Sequence, residues 1–180
     1  MEPLDDVQIL PLTFEYAIAN AEALIELNRD NQWDGWTVEN LLSDRPGKWH
    51  FSWVATRGGC PIGYAIVSQR EHGVHLHHIV MGHAWRSRGV GLKLLWFTAN
   101  KAVESGIGIL TLKVYDNNKR AIAFYERLSF RNSGRLPTEE LIEMTIDTQA
   151  LMDACAERIR WSAWRTDSHN ETVNETVMKP

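Results

Sequence analysis

Cysteine is scarce in this chain, with only Cys60 and Cys155 in 180 residues. They stand far apart and without metal-ligand spacing, so neither a disulfide framework nor a zinc pattern is suggested. Positive charge is not in excess either. Nineteen Lys and Arg against 23 Asp and Glu leave a formal net charge of -4. A protein that holds a nucleic-acid backbone carries the opposite balance, so no nucleic-acid partner is expected. Long apolar runs are missing: no segment nears the roughly 18 residues of a membrane helix, and residues 1–6 are acidic rather than a basic leader segment. These absences lead to the expectation of a soluble, cytoplasmic protein with reduced thiols and no membrane contact.

Enough apolar material is present for a core, 44% of the residues, in a chain of single-domain length. Residues 7–12 form an apolar run suited to a strand, and residues 13–28 carry Ala17, Ala21, Leu24, Ile25 and Leu27 at helical spacing. Thr37 is placed to cap a short helix through Leu42, stopped by Asp44, Pro46 and Gly47. Residues 49–56 alternate, Gly58-Gly59 signals a hairpin, and residues 61–69 and 74–81 continue as a three-stranded antiparallel meander turning at His72-Gly73. Leu92, Leu95, Trp96, Ala99 and Val103 mark a long amphipathic helix ending near Gly106. A strand over 109–115, a helix over 120–128 and strands over 130–131 and 141–146 complete a domain of residues 1–147. Residues 148–165 are expected to form a C-terminal helix packed on or near it. Residues 166–180, polar and nearly repeating Asn-Glu-Thr-Val, are expected as a disordered tail, and their two glycosylation-type triplets are read as chance.

Between the strand ending at Met81 and the long helix lies His83-Ala84-Trp85-Arg86-Ser87-Arg88-Gly89-Val90-Gly91. A helix entry of this kind attracts phosphate through exposed backbone N–H groups and the helix dipole. Gly89 and Gly91 let the backbone approach a pyrophosphate with no Cβ in the way, and Arg86 and Arg88 add charge. A dinucleotide fingerprint needs a third glycine where Leu94 stands, and a P-loop needs Gly-Lys-Ser/Thr, which is missing. What remains, Arg86-x-x-Gly89-x-Gly91, resembles the pyrophosphate-binding signature of the GNAT superfamily of N-acetyltransferases. Downstream, residues 112–130 resemble that family's second half-site, with Asn118, Ala121 and Tyr125 in the places of its Asn-x-x-Ala and following Tyr. The usual Leu-Gly-Phe ending reads Leu128-Ser129-Phe130 here.

The resemblance implies an α/β (α+β) fold, a mostly antiparallel mixed sheet flanked by helices, and acetyl-CoA as co-substrate. It places the pyrophosphate on residues 86–91, Arg86, Ser87, Arg88, Gly89, Val90 and Gly91, with Asn118 and Ala121 near the CoA arm and Tyr125 facing the thioester sulfur. It also implies that the backbone of Ile79, Val80 and Met81, on a bulged strand, bonds the thioester and pantetheine. The His75-x-His77 pair and the stretch Phe124-Tyr125-Glu126-Arg127-Leu128-Ser129-Phe130 are similar to those of the arylalkylamine N-acetyltransferases.

Chemistry supplies a reason for these residue types. An amine attacks only in its neutral form, so a group must accept a proton, and a histidine of ordinary pKa suits that task. The oxyanion needs a donor, which a backbone N–H of this strand can be, and a phenol such as Tyr125 can protonate the departing thiolate. On a regular strand His75 and His77 share one face and His78 takes the other. Which of His75 and His77 is the base stays open. No carboxylate or cysteine completes a metal set by spacing, and no metal is expected.

Acceptor specificity in this family comes from the first two helices and their loop, here Asp30, Trp33, Asp34 and Trp36. The carboxylates could meet a cationic amine and the indoles wall it, or the indoles could simply close the core. The expected acceptor is a small-molecule or protein amine, including a protein lysine, and a homodimer is left open. The alternative class is a CoA-binding or partner-binding module without turnover.

Overall fold

The computed structural model describes residues 6–29, 35–135 and 140–171, with side chains through residue 159. The chain opens with β1 (Val7–Pro11) and α1 (Phe14–Ala19), capped by the Thr13 hydroxyl accepting from Tyr16 N–H at 3.1 Å. The single helix expected over 13–28 is two. Asn20 ends α1 and begins α2 (Ala21–Glu26) with its backbone off helical values, while its side-chain amide donates to Tyr16 O at 3.0 Å. An asparagine bonding to the preceding turn offers the backbone an alternative to helix, which divides the segment here.

Thr37 and Asn40 cap α3 (Val38–Leu42) reciprocally, as the spacing predicts. The strand expected over 49–56 begins late, at β2 (Trp53–Arg57), because one helical turn, α4 (Lys48–Phe51), precedes it. Gly47 at φ 65 starts that turn. Ser52 then accepts from Val67 N–H and donates to Val67 O, restoring the ladder where the strand begins. Gly58 and Gly59, both at positive φ, turn the hairpin into β3 (Cys60–Arg70), which pairs with β4 (Gly73–Met81). The meander gains a fourth strand, since β1 pairs antiparallel with β2.

Helix α5 (Val90–Glu104) crosses to β5 (Ile109–Tyr115), parallel to β4. Then follow α6 (Lys119–Arg127), β6 (Arg131–Arg135), β7 (Leu141–Asp147) and α7 (Thr148–Glu171). The strand expected at 130–131 is therefore longer, and α7 runs beyond the end expected at residue 165. The seven strands are ordered β1-β2-β3-β4-β5-β7-β6, with β7 seated between β5 and β6.

Two apolar layers hold the sheet. On one face Val67, Leu76 and Leu112 meet Leu94, Leu95 and Ala99 of α5 and Leu151 and Cys155 of α7. On the other, Leu12, Ala17, Leu24 and Leu41 pack on Val54, Tyr64 and Ile66. Each fully buried Leu among them stabilises the fold by about 1.5–3 kcal/mol. Burial pushes the Cys155 thiol up to about 12, so it acts as a packing group. Among the described residues no helix is long and apolar enough to cross a membrane.

Candidate functional site

Strands β4 and β5 pair over three positions: Val74 with Leu110, His75 with Thr111 and Leu76 with Leu112. Gly73 draws them together at one end, for a Cβ there would stand 2.5 Å from Ile109 O. Beyond Leu76, β4 keeps its ladder to β3 as far as Met81 and β5 keeps its ladder to β7, but the two no longer pair with each other. The backbone of residues 77–81 on the β5 side therefore has no strand partner among the described residues, which leaves polar groups to be satisfied by something else. The opening starts at a β-bulge. Ile66 lies opposite His78 and Val67 opposite Leu76, so His77 is the extra residue. The bulge thus sits two residues before Ile79, Val80 and Met81.

The chain leaves β4 through a single 3-10 turn, His83–Trp85, and enters α5. Arg86 Nε donates to Met81 O at 3.1 Å, tying the turn to the strand end. Ser87 and Gly89 both take positive φ, 62° and 81°. Gly89 is the N-cap of α5 and has no side-chain cap, so the first N–H groups of a 15-residue helix keep their donors available. At Gly91 an added Cβ would meet nothing within 4 Å, which marks clear space along the helix entry. Arg88 and Arg57 stack over Trp85 at 5.3 Å. Donor N–H groups, a left-handed turn and flanking guanidinium groups are the chemistry a pyrophosphate requires, and the residues present fit it.

On the α5 face, Tyr125 belongs to the same apolar cluster as Ile79 and Met81. Phe124 and Phe130 hold its ring edge-on at 5.4 and 5.3 Å. Burial pushes its phenol up, so it stays protonated across the working pH range. Among the described residues its hydroxyl has no hydrogen-bond partner. Asn118 caps α6, its Oδ1 accepting from Ala121 N–H at 3.1 Å, which leaves the side-chain NH₂ as the free donor. The helix ends in a Schellman turn, with Phe130 N–H to Tyr125 O and Ser129 N–H to Glu126 O. Ser129 at φ 70 occupies the left-handed position, which explains the glycine usual there.

The histidines lie on the opposite face, all three together. The bulge at His77 reverses the alternation, so His78 does not point away from His75 as a regular strand would have it. It packs instead against Tyr64 and Trp36, on the side of the α1–α3 layer. His75 and His77 meet edge-on at 4.8 Å. His75 Nδ1 shares a hydrogen bond with Thr111 Oγ1 at 2.8 Å, and His77 Nε2 one with Ser68 Oγ at 2.7 Å. Burial first, then neighbouring cations, lowers His75 to about 4. For His77 burial, then His75 and the cations, lower it to about 3, while burial alone takes His78 to about 4. The ordinary imidazole range expected from the sequence is thus overturned, and all three rings are neutral at pH 7.

Trp36 stacks flat on His78, 4.6 Å between centroids and 8° between planes. His78 is 6% exposed, and neither ring nitrogen has a hydrogen-bond partner among the described residues. Asp30, Trp33 and Asp34 lie outside the described residues. Sequence reasoning missed Ser68, Thr111, Arg45, Arg70 and Lys48, which supply the histidines' hydrogen bonds and field. Only Ser68, the hydroxyl that closes the apolar run of residues 62–67 in β3, carried a legible signal. Lys48 is fully buried, with Nζ donating to Leu41 O and Ser43 O at 2.5 and 2.8 Å beneath the Trp49 ring. Burial and Arg45 lower it to about 8 against the opposing effect of Asp44.

A parallel strand pair that opens beside a glycine-built helix entry, within a mixed seven-stranded sheet, defines an acetyltransferase fold. Residues 14–130 match the acetyltransferase (GNAT) family, and the chain belongs to it. An uncharacterised N-acetyltransferase of Methanocaldococcus jannaschii is 30% identical over 104 residues, 46% of this chain and 44% of that relative. The match therefore spans less than half of the relative's length. Among solved structures, Ard1 of Thermoplasma volcanium superposes with a TM-score of 0.69 at 19% identity, covering 79% of this chain and 97% of that one. The ribosomal-protein-S18-alanine N-acetyltransferase of Escherichia coli gives 0.66 at 19%, covering 79% and 94%. The PaiA N-acetyltransferase of Thermoplasma acidophilum, solved with coenzyme A, gives 0.65 at 16%, covering 78% and 98%. At these identities the likeness is one of fold.

Proposed function

We propose that this chain moves an acetyl group from acetyl-CoA to an amine by direct attack, both substrates being held at once. One observation carries the reading. The β4–β5 opening separates a protonated phenol on the α5 face, Tyr125, from two neutral imidazoles on the other, His75 and His77. Acetyl transfer needs a proton removed from nitrogen and one delivered to sulfur, and this arrangement provides for each on its own side.

The N–H groups of residues 88–91 would hold the pyrophosphate, and the Asn118 NH₂ would face the arm that follows it. The unpaired backbone of residues 79–81 would receive the acetyl carbonyl, stabilising the negative charge that develops on its oxygen as the N–C bond forms. His75 and His77, bonded to Thr111 and Ser68, relay the amine proton outward. With values near 3 to 4 they pass the proton on, directly or through water, rather than store it. As the C–S bond breaks, Tyr125 donates its hydroxyl proton to the sulfur and is reprotonated from solvent.

The test follows free thiol release from acetyl-CoA with a panel of arylalkylamines, polyamines, peptide N-termini and lysine peptides. Amine-dependent release at one or more acceptors is the expected result. Tight acetyl-CoA binding with no release above hydrolysis for any amine would instead favour the non-catalytic module.

A further inference from the structure

Where β3 ends and β4 begins, on the histidine face, a hollow of about 460 Å³ is lined by Arg45, Pro46, Ser68, Gln69, Arg70 and Glu71. Its floor joins the site directly, since the Ser68 hydroxyl is bonded to His77, which touches His75. Arg45 is held at its Nε by Ser43 Oγ at 3.2 Å, which leaves its terminal NH₂ groups free to serve a ligand. Among the described residues neither Arg45 nor Arg70 pairs with a carboxylate. Glu71, the acid at the rim, is 87% exposed and turned to His72 at 3.8 Å. Arg45 and Arg70 act on both His75 and His77, Lys113 from β5 acts on His75 and Lys48 from α4 on His77, and among the described residues no acid acts on either ring. The field of the described residues at the imidazoles is therefore positive, and the one described acid lining the hollow, Glu71, is turned outward.

We infer that the hollow between Arg45 and Arg70 receives an anionic group, a carboxylate or phosphate, carried by the same acceptor that presents its amine at the β4–β5 opening. Arginine favours such groups through paired charge-assisted N–H donors. The pyrophosphate of coenzyme A is not this anion, because its candidate seat at residues 86–91 follows the other end of β4. Ser68 lies opposite His75, and Ile79 is four residues further along the bulged strand. At about 3.3 Å per residue the acceptor's amine and anion are on the order of 10 Å apart. An anion seated there also offsets the cations that oppose protonation of the relay, so the substrate's own charge assists removal of its amine proton.

This inference rests on the acetyl-transfer reading, and binding separates the two. The probes are ω-aminooctanoate, its primary amide and the matching aminoalkyl phosphonate, titrated by calorimetry into protein saturated with coenzyme A, alongside acetylation kinetics. The carboxylate or the phosphonate should bind at least tenfold tighter than the amide, and whichever binds tighter identifies the preferred anion. Arg70→Gln and Arg45→Gln should each erase most of that preference while changing the amide's affinity far less. Arg70→Glu should turn the preference toward the matching diamine. Equal affinity for acid and amide in the wild type, or a preference that survives the double Arg45→Gln/Arg70→Gln variant, overturns the anion site. Anion-selective binding without acetylation of any probe keeps the site and sinks the transfer reading. Equal kcat/KM for acid and amide does the reverse. Retained far-UV circular dichroism guards the variants against misfolding.

Discussion

The two faces of β4 solve different problems. Toward α5 the strand offers apolar side chains, Ile79 and Met81, and the polar groups left there are unpaired backbone and one phenol. Toward the α1–α3 layer it offers three imidazoles, two of them bonded to hydroxyls and set among cations and the third stacked on Trp36. A single extra residue, His77, creates the second arrangement by reversing the alternation. On the proposed reading the cofactor face is built mainly from main-chain geometry. The acceptor face is then assembled from side chains far apart in sequence.

The sharpest break in the comparison is Tyr125→Phe, which removes the polar atom of the α5 face and leaves its packing. Turnover should fall by about 10²-fold or more, on kcat and kcat/KM alike, with acetyl-CoA affinity nearly unchanged. Equal turnover would make Tyr125 a packing residue. On the other face, single His75→Ala or His77→Ala changes should cost little, each leaving its neighbour, while the double should lower kcat/KM by about 10²-fold. Because both rings are neutral well below pH 7, the wild-type profile between pH 6 and 8 should show no histidine limb. Such a limb near 6.5 would contradict the burial of the pair.

Gly89→Val tests the backbone side. A β-branched residue at φ 81 is strained, and it crowds the helix entry, so acetyl-CoA binding should weaken about tenfold to a hundredfold by calorimetry with the fold retained. His78→Phe addresses stability. The native ring near 4 stays neutral while the unfolded chain protonates near 6.5, so the unfolded state binds more protons across that window. Stability then falls as pH drops from about 6.5 toward 4. Phenylalanine keeps the stack on Trp36 and removes two unpartnered nitrogens, so urea titration should show a gain of about 1–3 kcal/mol at pH 7 and a shallower acid loss. The smallest effect is Ser129→Gly, which should add about 1 kcal/mol by relieving a left-handed serine. A loss there would mean the hydroxyl has a role in the turn.

The strand at 109–115, the long helix after Gly89, the cap at Thr37 and the hairpin at Gly58-Gly59 were legible because each rests on local backbone preference. A capping hydroxyl three residues from its donor, or a glycine at positive φ, carries its own signature in the chain. For the same reason the phosphate turn and the placement of Tyr125 on α6 could be read from residues alone. The split at Asn20, the turn at 48–51 and the bulge at His77 could not. Each answers to a partner elsewhere or to a register that pattern does not encode, and the bulge in particular is a relation between β4 and β3. The neutrality of the histidines was equally out of reach. An imidazole's proton affinity depends on what surrounds it, and Arg45, Lys48, Arg70 and Lys113 come to that place from a loop, a helix and two other strands only when the chain folds. Local stereochemistry by itself determined the cap at Thr37, the hairpin, the long helix and the turn that enters it. Tertiary packing decided the charge and the company of the three histidines, because burial and field are properties of the assembled sheet.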